Sequence, residues 1–101
     1  MDAKHYHELI GISQNIYQDA TDRITNYCVQ KYCGIGNDTA EQQMADYLLI
    51  AQETSAFLLG NALALLTPES QEKEIELFTE NLRRVISIAM KQMDQGSIPP
   101  R

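Results

Sequence analysis

The chain contains few prolines, which interrupt helices, and few cysteines, which cross-link small folds as disulfides. It has only three prolines in 101 residues, and two of them form the terminal Pro99–Pro100 pair. Proline is the residue that a helix interior tolerates least, so long helices are permitted over most of the chain. Two cysteines are too few for a disulfide framework. With 44% apolar residues and frequent alanine, leucine, glutamate and glutamine, the composition favours an all-α domain with its own apolar core.

Basic residues are also scarce. Eight Lys and Arg stand against 14 Asp and Glu, for a formal net charge of −6, and the longest basic run is Arg83–Arg84. Contacts to nucleic acid are dominated by Lys and Arg on phosphates. The charge balance therefore predicts no direct nucleic-acid binding, and it permits a partner protein with a basic surface.

A long uninterrupted apolar run is missing as well. Residues 47–66 have the length of a membrane span, about 20 residues. Polar side chains interrupt this stretch near its middle, namely Gln52, Glu53, Thr54, Ser55 and Asn61. An acidic group at that depth is costly in lipid. Residues 1–8 are polar and lack the apolar region of a signal peptide. We expect no membrane contact and a cytoplasmic, reducing setting.

Capping signals divide the chain into three helices. The first is predicted from about residue 3 to residue 32, where the sequence CGIGN follows. The second begins after Asp38, with Glu41 at capping-box spacing, and extends to Leu66. The third has Thr67 as N-cap and Pro68 at its first position, and it extends to about residue 94. We expect one domain over residues 1–95 and a flexible tail over residues 96–101.

The helix lengths and the short connections predict the architecture. Helices of 26 to 30 residues are each about 40 Å long. The tight break at Thr67 favours an antiparallel arrangement of the second and third helices. Apolar residues in both recur at alternating steps of three and four, as in bundles that cross near 20°. The predicted fold is an elongated antiparallel three-helix bundle.

The second helix carries more apolar surface than one packing face needs. Besides a broad apolar arc, Ile50, Phe57 and Ala64 recur at intervals of seven on the opposite side. Glu53 and Asn61 lie beside them, and Gly60 permits close approach of another helix. Glu53 has two interpretations: a specificity contact at an interface, or a carboxylate exposed at its rim. We predict a homodimer through this helix, with the interface residues Ile50, Glu53, Phe57, Gly60, Asn61 and Ala64.

No catalytic, cofactor or metal motif is visible. His5 and His7 stand two residues apart, and side chains at that spacing do not face each other on a helix. Cys28 falls on the apolar arc of the first helix and should be buried, whereas Cys33 beside the glycines should be exposed. A serine within a helix, such as Ser13, usually bonds the carbonyl one turn earlier. The five tyrosines, mostly in the first helix, are either core residues or part of a partner groove.

These patterns predict a small, non-enzymatic interaction or regulatory module without a cofactor. Two alternatives remain. One is a bundle that binds a small ligand or a metal in its interior, in a cavity lined by Ser13, Gln52 and Ser55. The other is an acidic inhibitor or chaperone-like accessory protein that covers a basic partner surface.

Overall fold

The computed structural model shows three α-helices and describes residues 1–35 and 39–95. Helix, turn and bend account for the secondary structure of those two ranges, which contain no strand. The predicted all-α class is therefore confirmed. The predicted N-cap Asp38 and the predicted tail 96–101 lie outside the described residues.

Helix α1 extends from Ala3 to Tyr32, as predicted. Its N-cap is Asp2, whose carboxylate accepts the His5 backbone N–H at 2.7 Å and so satisfies one of the free donors of the first turn. Past the C-terminal end, Gly34 has φ +77°, in the left-handed region that glycine adopts without a steric penalty. The glycine signal in the sequence therefore marks the end of the helix correctly.

Helix α2 extends from Ala40 to Leu63, so the predicted end at Leu66 is wrong by three residues. After Leu63 the backbone tightens, because the Leu66 N–H donates to the Leu63 carbonyl at 2.9 Å, an i to i+3 bond. The Gln71 side-chain amide donates to the carbonyls of both Leu63 and Leu66 at 3.1 Å. A tight turn and a side-chain cap thus replace the last predicted helical turn.

Helix α3 extends from Pro68 to Asp94, as predicted. Thr67 is the N-cap in extended conformation, and its hydroxyl accepts the Ser70 N–H at 3.3 Å. Proline at the first helical position has a fixed φ that suits the helix, and it lacks only an N–H that would be free in any case.

The chain divides into two compact units, Met1–Ser55 and Ala56–Arg101, and the division falls inside α2. Unit 1 contains α1 and the first part of α2. Unit 2 contains the end of α2 and all of α3. The expected single domain stays a prediction.

Burial is concentrated in unit 1. Among the described residues only three side chains are buried: Ile24, Cys28 and Thr39. Ile24 and Cys28 lie one turn apart on α1, as expected for the side of a helix that packs on a neighbour. In the described part of unit 2, even the most enclosed residues, such as Phe78, are half-buried. Unit 2 therefore leaves most of its apolar side chains in contact with solvent.

In the described ranges, none of the helices combines the length and the apolar character needed to cross a membrane.

Candidate functional site

The predicted interface residues lie on α2 and just beyond its end, and most of them are exposed. In unit 1, Ile50 is half-buried and Glu53 is exposed. Glu53 thus has the exposure expected of a rim carboxylate within this chain.

In unit 2, Phe57 leaves 67% of its surface accessible, although it is one of only two phenylalanines in the chain. Gly60 and Asn61 are exposed as well. Ala64 is exposed and follows the last helical residue, with its N–H still donating to the Gly60 carbonyl at 2.9 Å. Most of the apolar surface of this phenylalanine is therefore left without a packing partner among the described residues.

Gly60 also lacks an explanation within the chain. A Cβ atom built at this position would meet no heavy atom within 4 Å. Glycine in a helix interior costs about 1 kcal/mol relative to alanine. Packing inside the chain therefore does not require glycine here, and alanine would fit.

A shallow groove in unit 2 joins the end of α2 to α3. It has a volume of about 420 Å³ and is open to solvent. Its walls are mainly apolar, with Leu59 from α2 and Leu77, Phe78, Leu82 and Val85 from α3. Two polar side chains, Glu74 and Asn81, complete the lining. The groove shows which side of α3 faces the end of α2.

The opposite side of the same apolar face of α3 remains open. Its large side chains, namely Ile75, Ile86, Met90 and Met93, are 45% to 62% accessible, and Leu82, at the border with the groove, is 51% accessible. The sequence predicted this face correctly but assigned it to the core of the bundle. Because α3 has 27 residues whereas unit 2 includes only the last turns of α2, this part of α2 is too short to cover the whole face, and the bundle packing stays a prediction.

Unit 1 contains a polar cluster that the sequence did not predict. Lys31 at the end of α1 places its ammonium 3.0 Å from the Asp46 carboxylate on α2. The Tyr32 hydroxyl donates to the same carboxylate oxygen at 2.5 Å. The Lys31 ammonium also lies over the rings of Tyr27 and Tyr32, at 5.6 and 5.2 Å from their centroids. The cluster ties the end of α1 to α2.

The pKa values in this cluster shift as its hydrogen bonds require. The bond from Tyr32 and then the bond from Lys31 lower the pKa of Asp46. The bond to Asp46 raises the pKa of Tyr32 and is also the main cause of the raised pKa of Lys31. Each group thus prefers the protonation state it already has near neutral pH. Hydrogen-bonded groups of this kind hold neighbouring elements together.

The remaining candidates have local roles. Ser13 donates to the Leu9 carbonyl at 2.8 Å, which confirms the predicted bond. Cys28 is buried and Cys33 is exposed, as predicted, and neither forms a disulfide. His5 has a weak contact with Glu8 at 3.9 Å. Within the described ranges, His, Cys, Asp and Glu side chains form no group of three or more that could hold a metal ion.

The core interpretation of the tyrosines is wrong for three of the five. Tyr6, Tyr17 and Tyr27 are exposed, whereas Tyr32 and Tyr47 are half-buried. The segment of α2 in unit 1 is about half as long as α1, so it cannot cover the whole apolar arc of that helix. The tyrosines of α1 thus add to the exposed surface of unit 1.

Comparison of the chain with protein-family models, with curated proteins and with solved structures gives no match.

Proposed function

We propose that this chain is a non-enzymatic protein–protein interaction module that acts as a homodimer through α2. In this proposal neighbouring helices pack antiparallel along an elongated bundle, α1 on the first part of α2 and α3 on its end, and the residues Ile50, Phe57 and Ala64 face a second copy. The proposal includes a reducing, cytoplasmic setting, which suits an exposed free thiol such as Cys33.

The observation that carries the proposal is the exposure of Phe57. A phenylalanine that is 67% accessible gains free energy when a partner covers it, by about 2 kcal/mol for complete burial. A two-fold axis presents the same surface from both chains, so each such contact counts twice. Gly60 supports the same surface, because a helix that approaches closely would account for a glycine that intrachain packing does not require.

Light scattering coupled to size-exclusion chromatography tests the proposal. The wild-type chain should give about twice the chain mass of 11.4 kDa. Phe57→Glu should shift the protein toward monomer, because an ionised carboxylate would be buried without a partner. Leu65→Glu is the matched control, since Leu65 is 87% accessible, lies in the turn after α2 and should tolerate the same change.

Two results would contradict the proposal. A wild-type mass of 11.4 kDa at high micromolar concentration would mean that the stripe serves another protein, with an apolar or basic surface. An unchanged dimer in Phe57→Glu would place the interface on another face. Far-UV circular dichroism of both variants checks that the helices are retained.

A further inference from the structure

The apolar face of α3 has one covered side and one open side. Leu59 faces the covered side across the groove that they line together. The open side, which we call the α3 free face, consists of Ile75, Thr79, Leu82, Ile86 and Met90, all of them exposed; Leu82 lies at its border and also lines the groove. At 100° per residue these five side chains span an arc of about 80°. That is the width of surface that one packed helix covers.

The charge of α3 changes sign along its length. Residues 68–80 contain five glutamates and one lysine, for a net charge of −4. Residues 81–94 contain three basic residues and one aspartate, for a net charge of +2. A second α3 placed parallel would bring like charges together, whereas an antiparallel one would bring each half opposite the half of opposite sign. Charge therefore favours an antiparallel second copy of α3 over a parallel one.

We propose that the α3 free face pairs in antiparallel orientation with the α3 free face of a second copy of this chain. Helical geometry then gives a register in which Ile75 lies opposite Ile86 of the second copy. Leu82 lies opposite Thr79 of the second copy, where a small side chain leaves room for it. The Thr79 hydroxyl already donates to the Ile75 carbonyl at 2.9 Å, so it can be buried without losing its hydrogen bond.

The same register matches the charges at the rim. Glu72, Glu76 and Arg83 all project from one side of the free face. In an antiparallel pair related by a two-fold axis, residues on the same side of the two helices meet. Glu76 then lies two residues, about 3 Å along the helix axis, from the level of Arg83 of the second copy, a distance that the long arginine side chain spans, and the axis repeats this pair.

This contact goes beyond the α2 dimer and uses a different surface of unit 2. Leu59 faces α3 across the groove, whereas Phe57, two residues earlier, projects about 200° away around α2 and remains exposed. Both surfaces can therefore be occupied in one assembly. The chain then associates beyond a dimer when salt is low enough to leave the rim charges unscreened.

Sedimentation equilibrium of the full chain at low salt tests the α3 contact. The Phe57→Glu background isolates it, because the α2 contact is then absent. Glu76→Arg and Arg83→Glu should each raise the dissociation constant about tenfold, since two symmetry-related pairs change from attraction to repulsion. The double variant should return to within about threefold of the background chain, and so should an equimolar mixture of the two single variants.

The control uses the opposite side of the same helix. Glu80→Arg and Arg84→Glu make the same charge changes about 160° away from Leu82 and should leave the dissociation constant unchanged. Additive weakening in the Glu76→Arg/Arg83→Glu double variant, with no recovery in the mixture, would overturn the antiparallel register. Equal weakening by the control pair would overturn the surface itself. If Phe57→Glu leaves the association of the wild-type chain unchanged, the α2 proposal fails, and this result is distinct from a failure of the α3 contact.

Discussion

Replacing Ile24 by alanine tests the packing of α1 on α2 in unit 1. The change removes three carbon atoms, each worth about 0.8 kcal/mol on transfer from water, for a total of about 2.4 kcal/mol. Ile24 is only 9% accessible, so nearly all of this contribution is lost. The cavity left behind adds to the loss, and we expect the free energy of unfolding of unit 1 to fall by about 3 kcal/mol.

Ile16 provides the matched control on the same helix. Its side chain is 57% accessible, so the same change forfeits less than half of the transfer free energy, about 1 kcal/mol. Alanine also has the higher helix propensity, which offsets this loss by about 0.4 kcal/mol. The expected cost of Ile16→Ala is therefore about 0.6 kcal/mol, a small fraction of the cost at Ile24.

Tyrosine fluorescence during urea unfolding measures how much each substitution lowers the free energy of unfolding of unit 1. All five tyrosines lie in unit 1 and the chain has no tryptophan, so this signal reports unit 1 alone. Far-UV circular dichroism follows all three helices at the same time. Titrations at two protein concentrations separate intrachain packing from association. Equal costs at Ile24 and Ile16 would refute the packing described for unit 1.

Three further predictions concern the caps, the thiols and the polar cluster. Thr67→Ala removes the acceptor of the Ser70 N–H and should lower the free energy of unfolding of unit 2 by about 1 kcal/mol in urea titrations followed by circular dichroism. Thr67→Ser keeps a hydroxyl and should stay within about 0.5 kcal/mol of the wild type. Equal losses in the two variants would refute the capping role. Cys33 should react with a thiol reagent in the native chain, whereas Cys28 should react only after denaturation; rapid native labelling of Cys28 would contradict its burial. Hydrogen bonds from Tyr32 and Lys31 lower the pKa of Asp46. The stability from Asp46 is therefore complete above the unfolded carboxyl pKa of about 3.9 and is lost as the pH falls through the lower folded value. The thermal midpoint of wild type should then fall more steeply below about pH 4 than that of Asp46→Asn, and parallel profiles would contradict this.

Local signals predicted the helix boundaries well. Thr67 and Pro68 mark the start of α3, and glycine follows the end of α1, because capping depends on residues within one turn. The end of α2 was misplaced because the apolar pattern continues to Leu66, while the hydrogen bonds of the turn before Pro68 end the helix at Leu63. Periodicity reports which side of a helix is apolar and carries no information about local turn geometry.

The sequence could not predict which apolar faces a neighbouring helix covers or which residues far apart in the chain are in contact. The pattern identified the apolar face of α3 but not that much of it would remain exposed, because exposure depends on how far a neighbouring helix extends. The contact between Lys31 and Asp46 joins residues 15 apart across the connection between α1 and α2. No periodic signal encodes such a pair. The same holds for the predicted interface on α2, because the sequence shows an apolar stripe but does not show which surface binds it.

We infer that the chain self-associates through exposed helix faces, and the mass of the wild-type chain in solution tests this directly. Light scattering at salt of about 0.5 M, where the charged contact along α3 is screened, should isolate the α2 contact. We predict about twice 11.4 kDa at high micromolar concentration, falling toward 11.4 kDa on dilution. A mass of 11.4 kDa at every concentration, at this salt and at low salt, would contradict the account.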